Sequence, residues 1–183
     1  MRKIVSGLFL SLDGVYEAPH QWHFPYWSDE MGEVVQTQMD ASDAMLLGRV
    51  GYQEFAQYWP QQPSDGDIAD HMNETPKYVV STRLAAVGEW RNSTLVTGDI
   101  MAEIRALKTQ PGKDIGMTGS GVLVRSLLRE GLLDELHLLV HPIVVGTGKR
   151  LFPDETPRQG LRLVASRPLP NGVLYLTYAP GGA

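Results

Sequence analysis

Asp114-Ile115-Gly116-Met117-Thr118-Gly119-Ser120-Gly121-Val122-Leu123-Val124-Arg125-Ser126-Leu127-Leu128 is the stretch on which the fold turns. It reads as a short buried strand, a glycine turn, and a helix whose apolar residues recur at helical spacing. Glycines at 119 and 121 put no side chain between the backbone and whatever lies over the turn. The first N–H groups of the following helix lack intrahelical partners and carry partial positive charge. The turn is therefore either a seat for a phosphate or pyrophosphate or a tight strand-to-helix connection that binds nothing.

Working outward, the same strand-then-helix pattern repeats. Residues 3–12 are apolar on both faces, as in a central strand covered on each side. Asp13 to Trp27 form a long loop carrying Pro19, Pro25, Tyr16, Trp22, Phe24, Tyr26 and Trp27, and loops of this length are usually functional. The aromatics there either stack on a flat heterocycle or pack under the loop. Ser28 is the expected N-cap of a helix that buries Met31, Val34, Val35 and Met39. A strand over Asp43–Gly48 runs into a helix packed through Tyr52, Phe55, Ala56 and Trp59. A polar loop at residues 60–67, a short helix through His71, and strands at 77–82 and 94–97 follow. A helix through Ile100, Ile104 and Leu107 precedes the opening stretch, whose own helix stops at Gly131.

Beyond Gly131 helices cease. Leu136 to Val145 reads as a long apolar strand, and residues 161–166 and 173–178 as two more, joined through Pro170-Asn171-Gly172, a hairpin signal. Alternation up to residue 131 argues for parallel strands with right-handed crossovers. The expected fold is α/β: a single domain over 1–183, with a mixed, mostly parallel sheet of about eight strands flanked by helices and a C-terminal antiparallel hairpin. Ligands in such sheets sit beyond the carboxyl ends of parallel strands. There fall Asp13-Gly14, Gly48-Arg49, Ser81-Thr82-Arg83 and Gly119-Ser120-Gly121, which together favour a bound nucleotide.

Composition removes several classes. The 183 residues contain no cysteine, so disulfides, zinc–thiolate sites and a cysteine nucleophile are absent. Net charge is −5 with no long basic run, which disfavours a nucleic-acid surface. Met1-Arg2-Lys3 before an apolar run has the outline of a secretory signal, but Asp13-Gly14 ends that run and no cleavage pattern follows. The segment is also too short to span a bilayer, so a buried first strand and a cytoplasmic protein are expected. His20-x-x-His23 has no evident third ligand, and no metal is expected. His137 and His141 read as structural. Gly146-Thr147-Gly148-Lys149-Arg150 departs from a P-loop, though it either approaches a ligand or is a basic loop. No Gly-x-Ser-x-Gly elbow exists.

The chain resembles the dihydrofolate reductase superfamily, and most closely the branch shared with the pyrimidine reductase domain of riboflavin biosynthesis. The resemblance rests on Ser11-Leu12-Asp13-Gly14, Leu46-Leu47-Gly48-Arg49, Val79-Val80-Ser81-Thr82-Arg83, Gly119-Ser120-Gly121, and His141 to Gly148 with Leu151-Phe152 behind it. It spans Lys3 to Tyr178. It implies NADPH as cofactor and hydride transfer to a small heterocycle, a pterin or a ribosylaminopyrimidine. By this resemblance Gly48, Arg49, Ser81, Thr82 and Arg83 hold the adenosine 2′-phosphate end. Gly119, Ser120, Gly121, Val122 and Leu123 form the pyrophosphate turn, and Leu12, Asp13 and Gly14 lie beside the nicotinamide. Dihydrofolate reductases place a substrate-binding acid near the start of the first helix. Asp29, Glu30 and Glu33 are the alternative candidates here, behind a longer loop.

Asp13 is read either as a turn residue or as a carboxylate facing substrate or nicotinamide. The resemblance and the edges left by the C-terminal hairpin imply a homodimer. A non-catalytic NADP-binding oligomer is the alternative to a reductase, and NADPH consumption separates the two.

Overall fold

The computed structural model describes residues 1–63 and 67–181. Among them the strands are β1 (Ile4–Ser11), β2 (Ser42–Gly48), β3 (Lys77–Val80), β4 (Ser93–Val96), β5 (Asp114–Thr118), β6 (Glu135–His141), β7 (Leu161–Pro168) and β8 (Leu174–Pro180). They form one mixed sheet in the order β4-β3-β2-β5-β1-β6-β8-β7. Only the pairings of β8 with β6 and β7 are antiparallel among the strand registers described. The expected mostly parallel sheet with a terminal antiparallel hairpin is therefore the observed one. The helices are α1 (Asp29–Asp40), α2 (Arg49–Tyr58), α3 (Asp67–Glu74), α4 (Ile100–Thr109) and α5 (Gly121–Arg129). Of the polar loop expected at 60–67, residues 64–66 lie outside the described residues, and Trp59–Gln61 is a 3-10 turn.

The chain divides into two compact units, Met1–Ile4 with Gln36–Ser120, and Val5–Val35 with Gly121–Ala183. In the first, β4, β3, β2 and β5 are parallel neighbours. Their core is Met45, Leu47, Tyr52, Ala56, Met72, Val79 and Trp90. A buried cation sits in it. Lys77 is 0% exposed. Its Nζ donates to the carbonyls of Asn73 (3.0 Å), Thr75 (2.7 Å) and Arg91 (3.1 Å) and lies 4.4 Å from the centre of the Trp90 ring. The end of α3 leaves carbonyls without intrahelical partners, and a lysine there satisfies them while meeting the negative end of the helix dipole. Burial, with Arg91 adding repulsion and Glu74 opposing it, pushes the Lys77 ammonium down to about 8.

In the second unit β1 pairs parallel with β6, and β6 pairs with β8. Met31, Val34, Leu139, Leu169 and Val173 form the core, with Phe9, Tyr26 and Tyr175 against it. Ser28 caps α1 as expected, its Oγ accepting from the Met31 N–H at 3.3 Å. One element differs from expectation. The strand read as Leu136–Val145 ends at His141. Pro142 has no N–H for the ladder, and the chain beyond it is taken by residues 12–17, described below. The edge strand β7 is exposed from Arg162 to Pro168.

Lys77→Met keeps the aliphatic stem but leaves three carbonyls without their donor. Urea unfolding should show a loss of about 2–3 kcal/mol. The pH dependence gives a second reading. The folded value lies below the ordinary 10.5, so the unfolded chain binds more protons between about 8 and 10.5. Stability from this group therefore rises across that window, and the variant should lose that slope. A stability within 0.5 kcal/mol of wild type, as an order-of-magnitude threshold for a surface change, would contradict the role.

Candidate active site

Four parallel strands of the first unit end level with one another. Gly48 is paired with Val80, and Val80 with Val96. β5 ends at Thr118, next to the Leu46–Met117 pair. Beyond β2, the chain enters α2 with Gly48 at the N-cap. Among the described residues no side chain caps it, so the first N–H groups of α2 have no side-chain acceptor there. Arg49 is half-buried, and its guanidinium donates to Gln53 Oε1 at 2.8 Å. Beyond β3, Ser81 is buried and its Oγ accepts from the N–H groups of Arg83 and Leu84, both at 3.0 Å. That pair of bonds fixes the turn. The side chains of Thr82 and Arg83 are exposed.

Beyond β5 the chain turns through two consecutive left-handed residues, Gly119 (φ +77°) and Ser120 (φ +55°). Glycine takes this conformation without steric cost and serine does not. Ser120 packs against Gly48 so closely that a Cβ added to Gly48 would lie 2.7 Å from the Ser120 Cβ. The two strand-end turns therefore touch through a missing side chain.

In the second unit the chain leaves β1 at Ser11, opposite His141. Ser11 Oγ donates to Asp13 Oδ1 at 2.7 Å and accepts from the Val15 N–H at 2.8 Å. The Asp13 carboxylate also accepts from the N–H groups of Val145 (3.0 Å) and Gly146 (2.9 Å). The Arg150 Nε donates to its carbonyl at 3.1 Å. The Ser11 hydroxyl foremost, then the Val145 and Gly146 N–H groups, hold Asp13 down at about 2. It is a carboxylate at neutral pH and does not donate a proton there.

Around this anchor, residues 12–17 run antiparallel to 143–151. Leu12 N–H donates to Ile143 O, Tyr16 N–H to Lys149 O, and Leu151 N–H to Gly14 O. Lys149 pairs with Glu17 at 2.5 Å. Leu12 is 67% exposed and Val122 62%, two apolar side chains left open to solvent. Leu123 is buried in the core, so only its backbone is available to a ligand. A Cβ on Gly121 would meet the Tyr16 ring at 2.7 Å. Asp29 is exposed in the first turn of α1, with Glu30 beside it and Glu33 further along the helix.

A cleft of about 290 Å³ within this unit is lined by Tyr16, Val122, Arg125, Lys149, Arg150 and Pro153, among others. Arg125 donates to Leu151 O at 2.7 Å. Its presence escaped the sequence reading, although it stands one helical turn after Gly121 and so shares that face. Lys149 and Arg150 belong to the basic loop for which a ligand role was left open. Among the described residues no group of three or more His, Asp or Glu side chains is placed to hold a metal, and no helix is long and apolar enough to cross a membrane.

Comparison with known proteins sets this geometry in a family. The chain is 29% identical over 181 residues to the uncharacterized protein YyaP of Bacillus subtilis (strain 168), covering 97% of this chain and 94% of that one. Its fold is similar to that of a candidate riboflavin biosynthesis protein from Shewanella sp. PV-4, with a TM-score of 0.77, 21% identity, and coverage of 98% and 99%. It is also similar to dihydrofolate reductase from Enterococcus faecalis, solved with NADP(H), with a TM-score of 0.66, 15% identity, and coverage of 98% and 97%. The sequence pattern of the RibD C-terminal domain matches residues 2–175. The chain belongs to the RibD C-terminal domain family, and its fold is dihydrofolate reductase-like.

Proposed function

We propose that the protein is a cytoplasmic NADPH-dependent reductase that transfers a hydride to a small flat heterocycle of the pterin or ribosylaminopyrimidine kind. One observation carries the reading. The level ends of β2, β3 and β5 expose uncapped helical N–H groups, an arginine on each of two turns, and glycines at 48 and 119. That donor set suits a phosphorylated dinucleotide.

When bound, NADPH supplies the hydride; the chain supplies binding, alignment and electrostatics. In this reading Arg49, Arg83 and the Ser81-Thr82 turn, with Gly48, hold the 2′-phosphate end. The backbone of Gly119, Ser120, Gly121, Val122 and Leu123 holds the pyrophosphate. Leu12, Asp13 and Gly14 border the nicotinamide. Asp13 acts as a fixed carboxylate that keeps the 145–146 backbone in place and orients the ring amide. Asp29 is the acid assigned to the substrate.

A non-catalytic NADP-binding role draws on a specific observation: Asp13 is held ionised by three donors, and Asp29 lies exposed at a helix start. NADPH oxidation with a dihydropterin or an aminopyrimidine acceptor separates the two. We further propose a homodimer built through the C-terminal strands. The edge strand β7 leaves Leu163 and Val164 each 50% exposed, and unpaired edges of this kind are usually covered. Light scattering should give twice the chain mass at micromolar concentration; a monomer there contradicts it.

Arg83→Ala gives the sharpest test of the cofactor assignment. A charge-assisted hydrogen bond to phosphate contributes roughly 1.5–3 kcal/mol. Calorimetric titration should show NADPH binding weakened roughly 10- to 100-fold. NADH lacks the phosphate and should change little. Equal losses for both cofactors would make Arg83 a structural residue. No loss for either would move the phosphate site elsewhere.

A further inference from the structure

Lys149 and Arg150 have no part in the reductase reading, yet the loop that carries them is held at several points. Gly146 (φ +80°) and Gly148 (φ +111°) both lie in the left-handed region, which glycine enters without steric cost. At Gly148 space is short as well, since an added Cβ would lie 3.0 Å from Val15 Cγ1. The Gly146 N–H donates to Asp13, and the Lys149 N–H donates to Glu17 Oε2 at 3.2 Å. Val15 and Arg150 form an antiparallel bridge. The bend through the two glycines thus delivers two consecutive cations to the cleft of about 290 Å³.

The facing wall is α5. Val122 and Arg125 stand three residues apart, on one side of the helix, and both line the cleft. Arg125 is half-buried and donates through Nη1 to the Leu151 carbonyl at 2.7 Å. Leu151 is buried, and its own N–H donates to the Gly14 carbonyl, so the guanidinium is fixed to the same loop. A guanidinium has five donors, and that bond uses one of them. The Arg150 guanidinium is held in turn at Asp13, Nε to its carbonyl at 3.1 Å and Nη2 3.8 Å from its carboxylate. Lys149 Nζ pairs with Glu17.

Three cations therefore converge on one cleft in a chain whose net charge is −5. Among the described residues that line it, Asp154 is the acidic one, and it is exposed. A cleft walled by one sign of charge concentrates ions of the other.

Size and the remaining walls narrow the ligand. The volume lies at the lower end of small-molecule pockets, about 300–1,000 Å³, which suits a small organic ion. Tyr16, the exposed Val122 and Pro153 give it an apolar flank. Arginine forks match the paired oxygens of a phosphate, and three cations exceed what a singly charged carboxylate calls for. Tyr16 also sets the cleft apart from the turn assigned to the cofactor. Its ring lies over Gly121, where an added Cβ would meet it at 2.7 Å. Of Gly119 to Leu123, Val122 alone lines the cleft.

We propose that this cleft is a second anion site, separate from the cofactor turns, that binds a small phosphomonoester between Arg125, Lys149 and Arg150. Occupancy ties α5 to the Gly146–Arg150 loop and, through Glu17 and the Asp13 carbonyl, to residues 12–17. The site stands on its own geometry and needs no NADPH.

The probe is phenyl phosphate, titrated calorimetrically alone and with excess NADPH, and compared with benzoate, a singly charged ion with the same ring. Wild type should bind phenyl phosphate at least roughly tenfold more tightly than benzoate, with the same affinity in both conditions. Its melting temperature should rise with phenyl phosphate. Arg125→Met and Lys149→Met should each weaken binding roughly tenfold, the scale of one charge-assisted hydrogen bond. Arg83→Ala should leave it unchanged.

No binding of phenyl phosphate, equal binding of benzoate, or unchanged affinity in either methionine variant would each overturn the proposal. Displacement by NADPH, or a loss in Arg83→Ala, would do so too, because the probe would then sit in the cofactor seat. The comparison of ligands on wild type needs no variant to fold. Phenyl phosphate binding without NADPH binding leaves the cleft standing and removes the reductase. NADPH binding without phenyl phosphate binding does the reverse.

Discussion

The candidate cofactor-binding turns of the first unit depend on one close approach: Gly48 at the end of β2 against Ser120 in the turn after β5. No Cβ fits between them. Gly48 has an ordinary backbone conformation, so the demand is for space and not for an unusual φ. Ser120 pays the conformational cost instead, sitting at φ +55°, a strain that persists only where surroundings impose it. With the two turns locked, the uncapped start of α2 and the Gly119-Ser120 backbone are fixed dipoles. Preorganised donors of this kind need no rearrangement when an anion arrives.

In the second unit the corresponding device is electrostatic. Asp13 gathers a hydroxyl and two backbone N–H groups, and through them it holds residues 143–151 against residues 12–17. One carboxylate thus fixes the basic loop that lines a cleft with Arg125, Lys149 and Arg150. Because Asp13 is held far below the usual carboxylate range, the arrangement persists over any pH near neutrality. On the proposed reading, in which a bound cofactor would carry the chemistry, rigid positioning matters more than a reactive side chain.

Much of this was legible in the sequence because glycine, proline and apolar periodicity act locally. The alternation of strands and helices, the Ser28 cap and the hairpin at Pro170-Asn171-Gly172 all follow from residues within a few positions of one another. What was not legible depends on distant partners. The end of β6 at His141 is set by Pro142 and by Asp13, 132 residues from Val145. Residue 77 reads only as the start of a strand until α3 and Arg91 bring three carbonyls around the Lys77 ammonium. His23 and His141 read as a failed metal motif and a structural histidine. Only folding brings their rings together, with centres 6.1 Å apart. Ser120 carries no sign of a left-handed conformation, since serine rarely adopts it.

The proposed seat for NADPH at the strand-end turns locked by Gly48 and Ser120 is open to a direct test. Calorimetric titration of NADPH into wild type and Gly48→Ala addresses it directly, with circular dichroism to establish that the variant is folded. Wild type should bind saturably and the variant should lose at least roughly tenfold in affinity, because the added methyl group drives the turns apart. Absence of NADPH binding by wild type, or unchanged affinity in folded Gly48→Ala, would contradict it.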